Sequence, residues 1–505
     1  MNKQIRGAAA LTDTPLSRVR ALSPGFAARA AEWDRERTYP WVNVRELAAA
    51  GVMGMSIPER FGGRGASYLE VAEVVEEVAR ACTLTARIIV EANMGGISAV
   101  MAYGTDAQRR FAAPIVLAGD KPAICITEPD AGSAATEMGT TARRQGGRWI
   151  LDGTKHWITG GGVSKLYLIF ARALEEHGTE LGIAGFLVHV DPEAGIAPKG
   201  FNVVRRERTM GLCGMPEAEL SFEGLEVADD MVLRTPSGPK RGFAELMTAY
   251  NSQRVGAGTI AMGVAAGALE HAKRYLLERH QFGRPIAEFQ GLQWMLADMD
   301  AAVHASRLML HEAARSAEWT GTGFPDLMMA ARAKAFASEN AIRVVNDALQ
   351  MFGARGYGDA EPLERMYRDV RMFTIGGGTA QVLKNAGGGR AIGDQDPADT
   401  GRLPAGVARR RKGRDEAACR SAGAEGDLCS GGERRRICAT DLLLSGLSAG
   451  DRGDLERPPR RRSRHADGAL RGGLFCQAHR QRQPLRPGGG HLSRARRRDG
   501  RSGRQ

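Results

Sequence analysis

The sequence predicts an α+β fold in which a helical domain, a β-domain and a second helical domain follow one another along the chain. Three observations predict it. Apolar residues recur at three-and-four spacing in residues 1–120 and again in residues 241–393, which is the period of an amphipathic helix. Residues 121–235 contain short β-type runs separated by Gly-rich turns. The periodicity stops near residue 395, so we expect an unstructured basic tail over residues 394–505.

The N-terminal domain contains three clear helical patterns. Residues 45–51, 68–82 and 106–117 place apolar side chains on one face among Ala, Glu and Arg. A Gly-rich cluster at residues 61–65 separates the first two patterns.

The β-domain is indicated by runs of β-branched, aromatic and aliphatic residues at 149–151, 166–170 and 183–190. Gly-rich turns at residues 145–147 and 160–162 lie between them. We expect a small domain of short strands.

The second helical domain begins with a long helical stretch, residues 251–283, that contains no proline. Its middle carries Gly256, Gly258, Gly263 and Gly267 among alanines. Each Gly costs a helix about 1 kcal/mol relative to Ala. We therefore expect another helix or a flat ligand to approach this stretch closely.

The basic balance of the chain lies in its tail. The net charge is +12 over 505 residues, but residues 401–505 carry 26 Lys and Arg against 11 Asp and Glu, whereas residues 1–400 carry 44 against 47. The first 400 residues thus give no electrostatic reason to expect nucleic acid. The tail's one aromatic residue is Phe475. A disordered nucleic-acid arm, a tail without function and an out-of-frame reading of GC-rich coding DNA all produce such a composition, and we favour the last.

The seven cysteines show no paired framework and no metal spacing, so we expect no metal site and a reducing compartment. The first residues contain no apolar run typical of a secretory signal. No stretch is apolar enough to span a membrane. We expect a cytoplasmic protein.

One constellation suggests a ligand. Residues 124–133 (ICITEPDAGS) form a β-type run that ends in a Pro/Gly turn with exposed hydroxyl groups, and residues 157–159 read WIT. Such hydroxyl and backbone N–H groups can bind a heteroaromatic edge or a phosphate. On physical grounds alone, an ordinary β-turn would account for the same residues.

As a pattern, however, the two segments resemble the flavin-binding strand and the second flavin contact of the acyl-CoA dehydrogenase family. Further elements of that family's signature follow in order over residues 35–393: ERHQFG at 278–283, FQ at 289–290, QMFGARG at 350–356, RD at 368–369 and GTAQ at 378–381. The loop at 350–356 departs from the family pattern, because Gly353-Ala354 stands where two glycines are usual.

The resemblance implies a β-barrel or sandwich for the middle domain, a C-terminal four-helix bundle, and FAD between the two, completed by another subunit of a homotetramer or dimer. The flavin contacts that it implies are Ile124, Ile126, Thr127, Gly132, Ser133, Trp157, Ile158, Thr159, Arg279, Gln290, Gln350, Gly353, Thr379 and Gln381.

The family's catalytic base is missing. Its members remove the α-proton of an acyl-CoA thioester with a Glu at one of two positions, and here these positions hold Gly377 and Gln253. A neutral amide or a glycine cannot accept that proton. Either another carboxylate has taken over or the reaction is not dehydrogenation. Glu91 is the best substitute by position. It shares a helical face with Arg87, and we favour the alternative that it simply pairs with Arg87 at a helix surface.

Within the family, the sequence is most similar to a branch that cleaves a C–S bond. The resembling stretches include YPW at 39–41, LAGDKPAIC at 117–125, ITGGGVS at 158–164 and ACTLTAR at 81–87. This likeness implies desulfination of 3-sulfinopropanoyl-CoA, with Arg87 holding the sulfinate and Gln253 orienting substrate or water. A guanidinium can bind the two sulfinate oxygens bidentately. Ser133, Asn251 and Arg254 are the implied substrate contacts.

Two other functions stay open. The first is an acyl-CoA dehydrogenase with an unusual base that passes electrons to an electron-transfer flavoprotein. The second is a non-catalytic flavin or acyl-CoA binding protein.

Overall fold

The computed structural model describes residues 13–391, so the expected unstructured tail at residues 394–505 lies outside the described part of the chain. Within it, the order helices, strands, helices is the predicted one.

The N-terminal domain consists of helices. Their bounds are α1 Pro15–Glu36, α2 Trp41–Ala49, α3 Tyr68–Ala81, α4 Thr83–Met94, α5 Gly96–Tyr103 and α6 Asp106–Leu117. The three predicted helices are confirmed as α2, α3 and α6. The sequence places Arg87 and Glu91 on one helical face but does not delimit α4, because each residue of this helix is buried and its sequence therefore lacks an amphipathic period.

Capping residues fix where several of these helices begin. Ser67 accepts a hydrogen bond from the Glu70 backbone N–H, and the Glu70 carboxylate accepts one from the Ser67 N–H. Thr105 and Gln108 form the same reciprocal arrangement at the start of α6. Each pair satisfies two N–H groups that an uncapped helix end would leave open.

The middle domain is one eight-stranded sheet with the order β6-β7-β3-β2-β4-β5-β8, and β1 pairs in parallel with β4. The strands are β1 Ala123–Cys125, β2 Thr141–Gln145, β3 Arg148–Thr159, β4 Leu166–Leu174, β5 Glu180–His189, β6 Phe201–Arg206, β7 Glu217–Ala228 and β8 Val232–Leu233. The three predicted runs lie in β3, β4 and β5. Strand β7 was missed, although its burial alternates as expected for a strand with one face in the core.

The C-terminal domain is again helical, as predicted. Its helices are α7 Pro239–Glu278, α8 Gln290–Arg315, α9 Leu327–Phe352, α10 Ala354–Tyr357, α11 Leu363–Val370 and α12 Ala380–Ala391, and a short hairpin, β9 His280–Gln281 and β10 Arg284–Pro285, joins α7 to α8.

The glycines of α7 let other helices come close, which confirms the first of the two expected reasons for them. A Cβ atom on Gly263 would lie 2.6 Å from the Cβ of Ala79 on α3. One on Gly256 would lie 2.6 Å from Val90 on α4. Helix α7 thus packs directly on α3 and α4 of the N-terminal domain.

No helix within residues 13–391 is long and apolar enough to cross a membrane.

Candidate active site

The two residues proposed as catalytic meet where α4 contacts α7. Arg87 lies on α4 and its Nη2 is 2.7 Å from Oε1 of Glu91, one turn further on. Gln253 on α7 donates from Nε2 to both oxygens of Glu91, at 3.0 and 3.1 Å. The side chains of Arg87 and Glu91 are only 7% and 3% exposed. The expected pairing of Glu91 with Arg87 is therefore present, but it is buried and does not lie on a helix surface.

Several polar atoms at this contact lack a partner. Arg87 Nε, Gln253 Oε1 and Arg254 Nε are buried and make no hydrogen bond within the described residues. Buried donors and acceptors are rarely left unpaired, because each costs about 1–3 kcal/mol. Their concentration on two neighbouring helices marks a place prepared for a polar ligand.

The second position of the family's base lies against the same helix. A Cβ atom on Gly377 would lie 3.9 Å from the Cβ of Ala257, which is one turn beyond Gln253 on α7. The next residue, Gly378, accepts a 2.6 Å hydrogen bond from Nζ of Lys334 on α9. Burial, followed by the charges of Arg254 and Arg87, lowers the pKa of Lys334 to about 7. The charged side chain that contacts this loop is therefore a lysine.

Two further charged residues complete the pocket from the β-domain side. The buried Lys121 donates from Nζ to the carbonyl of Thr159, at 3.3 Å. Glu217 opens β7 opposite Thr159 on β3, and both of its oxygens lie 2.9 Å from the Thr159 hydroxyl. Neither Lys121 nor Glu217 was predicted as a site residue.

The charges in the pocket act on one another. Removal from water raises the pKa of Glu217 to about 7. The positive charges of Arg87 and Lys121 and the hydrogen bond from Thr159 oppose this increase, and the negative charge of Glu91 adds to it. Burial also lowers the pKa of Lys121, against the attraction of Glu91. Both changes reflect a water-poor pocket in which charge is expensive.

The remaining predicted substrate contacts differ in position. Asn251 donates to the Pro325 carbonyl at 3.1 Å and accepts from Nη1 of Arg254 at 2.5 Å. These two residues therefore lie beside Gln253 on α7 and hold each other in place. Ser133 is exposed on the loop after β1, and the structure gives it no contact with them.

The loop that carries Thr127, Gly132 and Ser133 is fixed by a buried ion pair that the sequence did not reveal. Lys155 is fully buried and donates to Oε1 of Glu128 at 2.8 Å and to the Ile126 carbonyl at 3.0 Å. Glu128 in turn accepts from the backbone N–H groups of residues 139 and 140, at 2.5 and 3.0 Å. The segment expected to bind flavin is thus held at both ends.

Trp157 lies at an irregularity in the pairing of β3 with β7, between Lys155 and Ile158. Its φ is +58°, and its indole is 52% exposed. His156 stacks on the indole, with ring centroids 4.8 Å apart. By contrast, the Ile158 side chain packs in the core of the sheet, so only the backbone of Ile158 can contact a flavin.

The expected flavin contacts of the C-terminal domain lie at helix ends. Arg279 caps α7, Gln290 begins α8, Gly353 follows α9, and Thr379 caps α12 through a 3.2 Å hydrogen bond from the Val382 N–H. Exposed side chains are those of Arg279, Gln290, Gln350 and Gln381. The single chain does not bring these residues into contact with Trp157.

The residues of the β-domain fit a flavin. An exposed, flat indole in a backbone conformation that Trp rarely adopts lies next to the half-buried hydroxyls of Thr127 and Thr159. The His156 backbone N–H donates to the Thr127 carbonyl at 2.8 Å and so joins the two segments. An aromatic surface beside polar edge groups is what an isoalloxazine ring requires.

Sequence signals for the missed residues differ. Lys334 is a single charge on the apolar face of α9 and is fully buried, which could have drawn attention to it. Glu217 gave no such signal, because strand pairing brings it to Thr159. Lys121 gave none either, because its side chain reaches the Thr159 carbonyl only in the folded chain.

Comparisons with known proteins agree with the motifs. The acyl-CoA dehydrogenase N-terminal domain model matches residues 19–120, the middle-domain model residues 123–225, and the C-terminal domain model residues 240–392. A 3-sulfinopropanoyl-CoA desulfinase of Variovorax paradoxus is 55% identical over 372 residues, which are 74% of this chain and 92% of that protein.

Solved structures show the same fold. Butyryl-CoA dehydrogenase from Megasphaera elsdenii matches 76% of this chain and 100% of its own, with 29% identity and a TM-score of 0.69. A glutaryl-CoA dehydrogenase in complex with glutaryl-CoA matches 77% of this chain and 98% of its own, with 27% identity and a TM-score of 0.70.

Proposed function

The chain belongs to the acyl-CoA dehydrogenase family, and from this premise we propose that it hydrolyses 3-sulfinopropanoyl-CoA to propanoyl-CoA and sulfite. The observation that carries the proposal is the buried contact of Arg87, Glu91 and Gln253, which offers an anion-binding guanidinium where the family's oxidation would need a base. The 55% identity to a desulfinase supports it.

Recognition of the sulfinate rests on charge and geometry. Arg87, Lys121 and Arg254 are the positively charged residues of the pocket, whereas both oxygens of Glu91 are already bound and burial raises the pKa of Glu217, which favours its neutral form. The pocket therefore has positive charge to spare for a substrate anion. Arg87 keeps its Nε free while Glu91 holds Nη2. One edge of the guanidinium can thus bind two sulfinate oxygens.

Gln253 suits this substrate better than the family's Glu. A carboxylate at this position would face Glu91 at about 3 Å and would repel the sulfinate as well. The amide keeps the hydrogen bond to Glu91 and leaves Oε1 free. Oε1 can accept a hydrogen bond from the attacking water and orient it toward sulfur.

FAD would be held by Thr127, Trp157 and Thr159, with the C-terminal contacts coming from a second copy in a homotetramer or dimer. In this family the flavin accepts hydride, and we propose that it stays bound here without net redox turnover. A structural neighbour binds glutaryl-CoA, whose acyl chain also ends in an anion, and this supports an anionic acyl-CoA as the substrate class. We expect the protein to act in the cytoplasm.

The alternative of a dehydrogenase that uses Glu91 has less support. Both oxygens of Glu91 accept from Gln253, and Oε1 also binds Arg87. A base must have an oxygen free to reach the α-proton. Glu91 could act as the base only if it left Gln253 and Arg87. The enzyme would then be a dehydrogenase and would need an electron-transfer flavoprotein to accept its electrons. A non-catalytic binder would use the same three unpaired polar atoms for its ligand, so an activity measurement is what separates it from an enzyme.

One experiment separates the three functions. Purified protein is incubated with 3-sulfinopropanoyl-CoA and, separately, with butanoyl-CoA, while sulfite release and flavin absorbance are followed. We expect sulfite release without bleaching of the flavin. Bleaching by butanoyl-CoA without sulfite would favour the dehydrogenase, and neither signal would leave a binding protein.

A further inference from the structure

Hydrolytic desulfination, the function proposed above, requires that a proton be delivered to C3 of the acyl chain. The C3–S bond breaks, its electron pair stays on C3, and sulfur gains the oxygen of water. C3 is one bond too far from the thioester carbonyl to share its negative charge with that carbonyl. A free carbanion would therefore be costly, and an acid must deliver a proton to C3 as the bond breaks.

We propose that Glu217 is this proton donor, and the inference rests on desulfination being the reaction. Glu217 is the first residue of β7, at the pocket, and its two oxygens lie 2.9 Å from the hydroxyl of Thr159. The segment that leads into β7 packs on α4, since a Cβ atom on Gly214 would lie 2.8 Å from Leu84, about one turn before the Arg87 that would hold the sulfinate. Because C3 is bonded directly to sulfur, an acid that acts on C3 must lie near Arg87.

The other titratable groups facing Glu217 suit the role less well. Arg87 cannot give up a proton in a protein. The oxygens of Glu91 are occupied by Arg87 and Gln253. Burial raises the pKa of Tyr250 to about 12, so its hydroxyl holds its proton tightly. Nζ of Lys121 is engaged in a hydrogen bond to the Thr159 carbonyl, at 3.3 Å.

Glu217 also has suitable acidity. Removal from water raises its pKa to about 7, so near neutral pH a large share of the molecules carry the proton that the step consumes. Its side chain is half-buried and not sealed in the core. The Thr159 hydroxyl donates to the Glu217 oxygens, so this contact does not engage the acidic proton, which stays available for C3.

The step balances. Water oxygen bonds to sulfur, the S–C3 bond breaks, and Glu217 transfers its proton to C3, which gives propanoyl-CoA. The proton lost by the attacking water restores Glu217, and hydrogensulfite leaves. Carbon is reduced and sulfur oxidised within one substrate, so no external oxidant or reductant is required.

The test is Glu217→Gln, which keeps the size of the side chain but cannot donate an acidic proton. We expect kcat for sulfite release to fall about 100- to 1,000-fold, the usual worth of a general acid, with KM changed little. Glu217→Asp, which restores an acid on a shorter stem, should recover part of this loss. The matched control is Glu219→Gln, two residues along the same strand and paired with Arg205, which should retain full activity.

The pH profile distinguishes a proton donor from a structural residue. Wild-type kcat should fall as pH rises through about 7, because the acid loses its proton. The Glu217→Gln variant should lack this fall. Flavin absorbance and affinity for succinyl-CoA, a carboxylate analogue of the substrate, should match those of the wild type, which shows that the variant is folded.

The outcomes separate this inference from the proposed function. If the wild type releases sulfite and Glu217→Gln does so at a similar rate with the same pH profile, Glu217 is not the donor and desulfination stands. If the wild type releases no sulfite from 3-sulfinopropanoyl-CoA, both ideas are overturned together.

Discussion

Gln253 on α7 donates one amide nitrogen to both carboxylate oxygens of Glu91 on α4, at 3.0 and 3.1 Å. This bond joins the two helices that carry the pocket. It also fixes the amide so that Oε1 faces away from Glu91 without a protein partner.

Replacing Gln253 by Glu would set two buried carboxylates against each other. One of them must take up a proton in the folded state that it would not hold in the unfolded chain at pH 8. We expect Gln253→Glu to lower the free energy of unfolding by about 3 kcal/mol at pH 8, and by less at pH 5. Urea unfolding at the two pH values measures this.

A second substitution provides the control. In Gln253→Glu/Glu91→Gln the donor and the acceptor change places and the hydrogen bond can form again. Most of the lost stability should return. A Gln253→Glu protein as stable as the wild type at pH 8 would contradict the geometry described here.

Arg87→Lys tests the anion clamp, because it keeps the charge but loses the two-pronged geometry of guanidinium. A charge-assisted hydrogen bond contributes about 1.5–3 kcal/mol, so kcat/KM for sulfite release should fall about 10- to 100-fold. Flavin content should stay normal. Arg110→Lys, in an exposed pair with Asp106 on α6, is the control, and turnover by Arg87→Lys at the wild-type rate would rule out the clamp.

Asp369→Asn should change how stability depends on pH. Burial raises the pKa of Asp369 to about 6, from 3.8 in a solvated chain. The folded protein therefore binds more protons than the unfolded chain between about pH 4 and 6, and wild-type stability falls as pH rises through this window. The asparagine can still accept the 2.6 Å hydrogen bond from the Leu212 N–H.

The variant should consequently be more stable than the wild type at pH 7.5, by about 1–3 kcal/mol, and similar to it at pH 4. Denaturant unfolding at both pH values tests this. Asp298→Asn, at an exposed position on α8, should show no such difference. A variant less stable than the wild type at pH 7.5 would refute the burial argument.

Arg368 ties α11 to α1 and to the β-domain. It binds Asp34 through two nitrogens, at 2.6 and 3.1 Å, contacts Glu364 at 2.8 Å, and donates to the Met210 carbonyl at 2.9 Å. Lysine cannot reproduce this fork, so Arg368→Lys should lower stability by about 2–4 kcal/mol.

Thermal unfolding should show this as a clear drop in Tm. Arg148→Lys is the matched control, since Arg148 and Glu226 form a single ion pair that is 64% and 59% exposed. Exposed pairs contribute about 0–1 kcal/mol. Equal shifts in the two variants would show that the Arg368 network contributes little.

Local pattern was enough to predict much of the fold. Helix α6 has the predicted bounds because its apolar residues follow one face and Thr105 marks its start. The bounds of helix α4 could not be predicted, because burial on all sides removes the polar face that periodicity detects. Strand β7 was overlooked although its burial alternates along its length.

The site was predictable where residues on one element carry the chemistry. Arg87 with Glu91, and Asn251 with Gln253, lie within one or two turns of the same helix. Glu217 could not be found in this way, because it meets Thr159 only through the pairing of β3 with β7. The flavin contacts on α7, α8 and α9 stay a prediction, since one chain does not complete that site.

The close packing at Gly256 limits how long a substrate can be. Gly256 follows Gln253 by less than one turn of α7, and there Val90 and Met94 of α4 approach so closely that even a methyl group would overlap them, at 2.6 and 2.9 Å. An acyl group bound at Arg87 as proposed would meet this contact between the two helices. We therefore expect a three-carbon chain that ends in an anion to be accepted and a fatty tail to be excluded along this route.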